Sequence, residues 1–397
     1  MPEADNSGGI AWKHQLYLLL ALNTLNHIQY TGARFTVLLY AVHQQASPVV
    51  VGLLIALNSL FPAITSVRVG QVLDRCRNLR QPMLWVSVIM AAGVVLPAIW
   101  DSLAALFIFC IVVGSNFNVF RIASQQLTGQ FGESKDRPGN YNLYSQCLAI
   151  GNLIAPLMAG FAIDHVGFHF TLLIFALLAV PPITIFALDR IRLPQTQQAR
   201  GQEKSSPGSA WNLLRIPSLR RVLIVGVVLA TAWDIFTFIW PLYGTQLKFS
   251  ASQIGLVAGI FYSGTFVVRI LASLLLRRFS QWQLLLLSMA SASFIYILFP
   301  MLSSFTLLII TAFILGLVLG IIQPMTMSLA YDEAPHNRKA EVIGLRMTLA
   351  LGLHVVIPLL SGALGSALGL APVYWAAAAM LLTGFWTARS QWHYRKA

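Results

Sequence analysis

The segment VLIVGVVLATAWDIFTFIWPLY, residues 222–243, is long enough and apolar enough to cross a membrane as a single helix. The hydrocarbon core of a bilayer is about 30 Å thick and takes roughly 20 apolar residues per helical crossing. Asp234 lies in the middle of this segment and is the one carboxylate well inside a membrane-length apolar stretch of the chain. Because an ionisable group at this depth is costly, Asp234 is the first candidate for a residue that handles protons or cationic charge.

The rest of the chain has the composition of a membrane protein. Of its 397 residues, 57% are hydrophobic and 10% are charged, which is outside the range of soluble globular proteins. The apolar segments predict an all-α integral membrane protein with twelve transmembrane helices, numbered here as the first to the twelfth span. These spans lie near residues 15–40, 48–69, 82–100, 103–126, 141–164, 168–188, 220–243, 252–276, 281–301, 304–330, 340–367 and 371–390.

Lysine and arginine residues predict the orientation of the spans, because short loops rich in them stay in the cytoplasm. They precede the first span and occur in every second connection, whereas Lys248 is the one cation in the loops assigned to the opposite side. Both termini are therefore predicted to be cytoplasmic, in a multi-pass protein of a bacterial inner membrane. This topology accounts for the net charge of +13, so no nucleic-acid partner is expected.

The chain divides into two halves that resemble each other. Residues 189–219 are polar and predict a cytoplasmic linker between one six-helix bundle at 1–188 and a second at 220–397. Several glycines and prolines recur at a constant distance of 202 residues: Pro156, Gly160 and Gly167 as Pro358, Gly362 and Gly369, and Gly114 as Gly316. A constant offset across half the chain indicates a structural repeat, and parallel six-helix repeats are one known plan for transporters.

Two motifs make the sequence resemble the major facilitator superfamily over essentially its full length. Residues 70–80, GQVLDRCRNLR, are similar to the family's loop between the second and third spans, with Arg77 in place of the second glycine. Residues 151–160, GNLIAPLMAG, are similar to the motif of the family's exporting antiporters, with two alanines in place of glycines. The resemblance implies two pseudo-symmetric six-helix bundles, with spans 1, 4, 7 and 10 lining a central cavity.

The same motifs supply candidates for gating. Glycine permits close approach of helices, and Asp74 could engage a neighbouring helix N-terminus or an arginine and latch the cytoplasmic side. A proline with small residues in the fifth span could instead only shape a helix kink. The candidate gating residues are Gly70, Asp74, Arg75, Arg346, Gly151, Pro156 and Gly160.

Charged residues are absent from every third span, at 82–100, 168–188, 281–301 and 371–390. Such helices can face lipid without penalty, so the polar residues of the other spans are the candidates for a binding site. Polar residues with helical spacing form a stripe on the first span and another on the fourth. The candidate substrate-binding residues are Asn26, His27, Tyr30, Arg34, Asn118, Arg121, Trp233, Trp240 and Gln323.

Depth in the membrane selects the candidates for proton coupling. Asp234, His27 and His354 fall near the midplanes of their spans, where transporters bind their substrates. Arg34 and Arg121 would attract an anionic or zwitterionic solute through charge-assisted hydrogen bonds. The alternatives are that Asp234 forms a permanent ion pair with an arginine that joins the two halves, and that the tryptophans around it only pack the helix.

These observations predict a secondary active transporter that exports a metabolite, siderophore or drug in exchange for protons. A proton-coupled importer uses the same fold and similar charges, and a receptor without transport is a further alternative. No HExxH, GxSxG or phosphate-binding glycine loop occurs, so no enzyme activity is expected. We expect a monomer in the lipid bilayer, with protons and a small molecule as ligands and with neither a cofactor nor a metal.

Overall fold

The computed structural model describes residues 6–133, 135–194, 210–335 and 338–394, and this part of the chain is helical without any strand. Two short 3₁₀ helices, Ala210–Arg215 and Phe299–Met301, accompany the α-helices. The α-helices are α1 (Asn6–His43), α2 (Pro48–Arg75), α3 (Arg80–Ile99), α4 (Leu103–Thr128), α5 (Arg137–Leu177), α6 (Val180–Ala187), α7 (Pro217–Gln246), α8 (Ala251–Arg278), α9 (Gln281–Leu298), α10 (Phe305–Gly320), α11 (Ile322–Asp332), α12 (Lys339–Leu368) and α13 (Ala371–Tyr394).

The predicted number of twelve spans is confirmed by these helices. Nine helical ranges of the described chain are long and apolar enough to cross a membrane. One of them, Gly139–Ala187, holds both the fifth and the sixth span, and another, Phe305–Ala330, joins α10 and α11 into the tenth. The shorter apolar helix Ala371–Trp386 is the twelfth span. The first span is α1, which is 38 residues long but carries too many polar side chains to be found by hydropathy.

Two glycines with the same unusual backbone conformation confirm the repeat. Gly167 has φ 77° and ψ 175° and bends α5 where the fifth span meets the sixth. Gly369 has φ 87° and ψ 171° and ends α12 before the twelfth span. A positive φ is open to glycine at little cost but disfavoured for other residues. The equivalent position in each half therefore turns the chain in the same way.

Two further glycines bring helices together at equivalent positions. A Cβ atom at Gly114 of α4 would collide with the carbonyl oxygen of Asn58 on α2. A Cβ atom at Gly316 of α10 would collide with the carbonyl oxygen of Phe261 on α8. Small residues allow this close approach of backbones in membrane proteins. The same helix contact is thus built twice from the repeated sequence.

The chain forms two compact units. The first comprises Met1–Gln44 and Leu57–Gln202, and the second comprises Gln45–Ala56 and Glu203–Ala397. The first turns of α2 belong to the second unit because they pack on α12, where the Val49 amide donates to Ser366 Oγ at 3.1 Å. Residues 195–209 of the predicted linker at 189–219 lie outside the described residues.

A polar cluster ties the end of α1 to the connection between α3 and α4. The Tyr40 hydroxyl donates to Asp101 Oδ1 at 2.6 Å, and Gln44 Nε2 donates to the same oxygen at 2.5 Å. His169 of α5 places its Nε2 3.1 Å from the Tyr40 oxygen. The hydrogen bond from Tyr40 holds the pKa of Asp101 below its ordinary value of 3.8.

Removing that hydrogen bond should change how acid affects stability. A lowered pKa gives a contribution that is present above the ordinary pKa and is lost as the pH falls through the lower folded value. We expect Tyr40→Phe to reduce this acid-dependent loss, because the Asp101 pKa returns towards its ordinary value. The measurement is the melting temperature of both proteins between about pH 6 and pH 3. Equal pH slopes for wild type and variant would contradict the expectation.

Candidate functional site

Two residues of the predicted α1 stripe meet partners on three other helices of the first unit. His27 Nε2 lies 2.9 Å from Asn152 Oδ1 of α5, and the Tyr30 hydroxyl donates to Asn58 Oδ1 of α2 at 2.5 Å. The Tyr30 ring also stacks on Phe117 of α4, with 3.7 Å between the ring centroids. These three partners were not among the sequence candidates, although an asparagine in an apolar span is a usable signal. His27 and Tyr30 therefore belong to a polar cluster held by four helices.

Gly151, a candidate gating residue, makes room for His27. A Cβ atom at Gly151 would lie 2.6 Å from Cδ2 of the His27 ring. Asn152, the next residue of α5, contacts the same imidazole. The antiporter-like motif thus sets the position of the imidazole that faces Asn152.

Gly151→Ala should therefore destabilise the protein through His27. Filling a packed site costs about 1–3 kcal/mol, which exceeds the roughly 0.5–1 kcal/mol that alanine gains over glycine within a helix. We expect a lower melting temperature for Gly151→Ala and little change when His27→Ala is already present. Gly139→Ala in the same helix is the matched control, because a Cβ atom there meets nothing within 4 Å. Equal effects of Gly151→Ala in both backgrounds would show that His27 is not the obstacle.

The predicted stripe on the fourth span forms a second polar chain in this unit. Arg121 Nη2 donates to Asn118 Oδ1 at 3.0 Å, and Asn118 Nδ2 donates to Ser66 Oγ of α2 at 2.9 Å. The buried Nε of Arg121 has no hydrogen-bond acceptor. Arg34 is half-buried, and its guanidinium has no hydrogen bond or ion pair with a described residue. Both arginines keep donors that an anionic ligand could use.

Asn26 does not join His27 and Tyr30. Its side chain is fully buried, and its Nδ2 lies 3.5 Å from the sulfur of Met90 on α3. Asn26 thus contacts α3, whereas His27 and Tyr30 contact α5 and α2. Asn26 is a packing residue of the first unit in this structure.

In the second unit, two candidates for proton coupling form one pair. Asp234 of α7 is 7% exposed, and its Oδ2 lies 2.9 Å from Nδ1 of His354 on α12. The His354 side chain is 49% exposed. Oδ2 is in ion-pair range of the imidazole but accepts no well-aligned hydrogen bond from the described residues. Within this unit's described residues no arginine pairs with Asp234. An ion pair that joins the two halves stays a prediction.

The two tryptophans near Asp234 have different surroundings. Trp240 is completely buried, and its Nε1 donates to the carbonyl of Ile254 at 2.8 Å. Trp233 is half-buried and packs against the rings of Phe261 and Tyr262. Trp240 is therefore part of the core of this unit, which leaves Trp233 as the tryptophan that a ligand could reach. The side chain of Gln323 lies outside the described part of the chain.

The candidate gating residues also have identifiable contacts. Asp74 Oδ1 accepts a hydrogen bond of 3.0 Å from Gln126 Nε2 of α4, and its role as a latch stays a prediction. A Cβ atom at Gly70 would meet nothing within 4 Å, so close packing does not require this glycine here. Arg75 is exposed. Arg346 Nη2 donates to Thr326 Oγ1 of α11 at 3.3 Å.

Pro156 and Gly160 are both buried within α5. Pro156 lies in the interior of the helix, where proline removes a backbone hydrogen bond and promotes a bend. The sharp turn in α5 is at Gly167, seven residues beyond Gly160. Their role in gating stays a prediction.

Comparison with known proteins places the chain in a family. The sequence profile described as Major Facilitator Superfamily matches residues 19–353 and 222–391. An uncharacterized MFS-type transporter, YuxJ, of Bacillus subtilis (strain 168) is 23% identical over 245 residues, which cover 59% of this chain and 61% of that protein. Among solved structures, the nucleoside transporter NupG has a TM-score of 0.78 at 14% identity and covers 95% of this chain and 99% of its own.

A second solved structure is a bacterial homolog of the human lysosomal transporter Spinster, in an inward-facing and unoccupied conformation. Its TM-score is 0.76 at 15% identity, and the match covers 95% of this chain and 97% of that one. Identities this low show a shared fold, whereas the profile match spans most of the chain and carries the assignment. The resemblance inferred from the two motifs is confirmed, and the chain belongs to the Major Facilitator Superfamily.

Proposed function

We propose that this protein is a secondary active transporter that exports a small anionic or zwitterionic organic solute in exchange for protons. The observation that carries the proposal is the pair formed by the buried Asp234 and the half-exposed His354, 2.9 Å apart. Intramembrane carboxylates and histidines form the proton relays of pumps and transporters. The family supports transport in general, and the pair supports protons as the coupling ion.

The pair can change its charge by one proton at a time. When the carboxylate is ionised and the imidazole is neutral, the pair has one negative charge. One added proton makes the pair neutral overall, and a second gives it one positive charge. In this proposal the exposed part of His354 faces a water-filled cavity, and Asp234 exchanges protons with it across the Nδ1–Oδ2 contact. Each change in the charge of the pair would alter the binding free energy of a charged solute.

The first unit supplies groups suited to such a solute. Arg34 and Arg121 have unused guanidinium donors, which bind carboxylates and phosphates strongly. His27, Tyr30 and Asn118 add hydrogen-bonding groups in the same unit. The rings of Tyr30 and Phe117 offer an apolar surface for the solute's carbon skeleton. This combination favours a metabolite or siderophore with one or two acidic groups, and the half-buried Trp233 would suit an aromatic drug.

Two experiments test the proposal. Melting of the purified protein with a panel of anionic metabolites, siderophores and cationic drugs identifies a ligand, because binding to the folded state raises the melting temperature. Counterflow of that ligand in inverted vesicles with an imposed pH gradient then gives the direction. Uptake driven by protons leaving the vesicle supports efflux from the cell. Movement with the protons would instead identify an importer, and ligand binding without flux would identify a receptor.

The proposal includes a monomer in a bacterial inner membrane with both termini in the cytoplasm. The arginine-rich connections after α2 and between α6 and α7 support this orientation through the positive-inside rule. A cysteine placed near either terminus and treated with a membrane-impermeant thiol reagent in intact cells should stay unlabelled. Labelling from outside would reverse the assigned topology.

A further inference from the structure

A basic cleft lies in the first unit where α2 and α6 end and α3 begins. It has a volume of about 380 Å³ and is lined by Arg77, Asn78, Arg80, Asp189 and Arg192, together with three apolar residues that follow Asp189 in the chain. Three arginines face one carboxylate, so the lining has an excess of positive charge. Nothing in the proposed transport cycle uses these residues.

Arg80 builds the floor of the cleft. Its Nε donates to the Phe186 carbonyl at 2.5 Å and its Nη2 to the Ala187 carbonyl at 3.0 Å. These carbonyls belong to the last turn of α6, where no backbone donor is left to satisfy them. Its Nη1 lies 2.9 Å from Asp189 Oδ1. The donors of Arg80 and the charge of Asp189 are therefore used within the protein, and the excess charge is that of Arg77 and Arg192.

Arg77 and Arg192 are free to bind an external anion. Both are exposed, and neither guanidinium has a hydrogen bond or ion pair with any residue in the described ranges. Arg192 is nevertheless held in place, because its backbone amide donates to Gln15 Oε1 at 2.8 Å and the preceding Ile191 is buried. Two guanidinium groups on one cleft repel each other until an anion lies between them, and phosphate matches their forked donors.

The surface next to the cleft is suited to lipid chains. Trp85 of α3 is 62% exposed, and Leu188, directly after α6, is 66% exposed. Both lie on spans that carry no charged residue between 82 and 100 or between 168 and 188. Basic pockets at the ends of transmembrane helices bind the headgroups of anionic lipids. We propose that Arg77 and Arg192, on the floor made by Arg80, bind the phosphate of an anionic phospholipid headgroup.

The test is the melting temperature of the full-length protein in neutral detergent, titrated with phosphatidylglycerol, phosphatidylcholine or inorganic phosphate. Phosphatidylglycerol should stabilise wild type more than phosphatidylcholine does. Arg77→Gln with Arg192→Gln should weaken the apparent affinity by about 30-fold, the effect of two basic residues at a membrane surface. Each single variant should give an intermediate loss, which keeps the test valid if the double variant folds poorly.

The matched control is Arg137→Gln with Arg190→Gln, which removes the same charge at exposed positions outside the cleft. This control should keep the wild-type response. If both double variants lost the same apparent affinity for phosphatidylglycerol, the effect would be one of general surface charge, and the proposed site would be wrong. If inorganic phosphate alone stabilised the protein as much as phosphatidylglycerol does, the cleft would be a site for a free anion, and the lipid proposal would be wrong. Because stability is the readout, the result is independent of whether the protein transports its solute with protons.

Discussion

Asp234→Asn should remove the response of solute binding and transport to a pH gradient. Asparagine has nearly the same shape as aspartate but binds no proton, so the pair with His354 loses one of its two titrating members. Coupling free energies between two ligands are typically about 1–3 kcal/mol, or about 5- to 150-fold in affinity. We expect the variant to lose a pH dependence of this size. The measurement is solute flux in proteoliposomes with and without an imposed pH gradient.

Solute exchange without a gradient separates coupling from folding. Asp234→Asn should still exchange labelled for unlabelled solute, because the candidate substrate groups Arg34 and Arg121 are unchanged. His354→Gln should also weaken the response, since the buried acid then lacks its exposed partner. The control is Glu133→Gln, which removes an exposed carboxylate paired with Lys135 on the surface. Full gradient-driven transport by Asp234→Asn would make the pair with His354 a structural contact.

The pairing of Asp234 with His354 shows what sequence alone could provide. Both residues could be selected by their depth within an apolar segment, because depth follows from the position in the sequence and a rise of about 1.5 Å per residue. Their contact depends on how α7 and α12 rotate about their own axes, which no single segment specifies.

Trp240 shows that a residue near Asp234 in the sequence can lie away from it in the structure. It follows Asp234 by six residues, about 240° further around the helix at 3.6 residues per turn, and so it lies in the core instead of beside the acid.

The repeat was more informative than the individual motifs. Positions 202 residues apart adopt the same conformation at Gly167 and Gly369, because the positive φ is a local property of the backbone. The motif at residues 70–80 predicted the loop between the second and third spans but not the hydrogen-bond partner of Asp74. That partner is Gln126, because α4 passes the end of α2 at this point. The polar α1, in turn, could be recognised as a span only from its place in the pattern of twelve.

The glycines at the two equivalent helix crossings should be far more sensitive to substitution than Gly352, where an added Cβ atom meets nothing within 4 Å. At Gly114 and Gly316 the atom in the way of a new Cβ is a backbone carbonyl oxygen, which cannot rotate aside as a side chain can. Alanine would gain about 1 kcal/mol in helix propensity at an exposed helical site. The gain is outweighed here, because the two backbones must move apart and lose packing along the crossing.

Gly114→Val and Gly316→Val should therefore abolish recovery of folded protein, since overpacking by two further methyl groups belongs to the changes that exceed about 4 kcal/mol. Gly352→Val is the control, because a Cβ atom at Gly352 of α12 meets nothing within 4 Å. Valine has a slightly better helix propensity than glycine, so no loss of stability is expected there. The measurement is the yield of monodisperse protein by size-exclusion chromatography after expression at equal levels. If the three variants eluted alike, these glycines would not be the points through which α4 packs on α2 and α10 packs on α8.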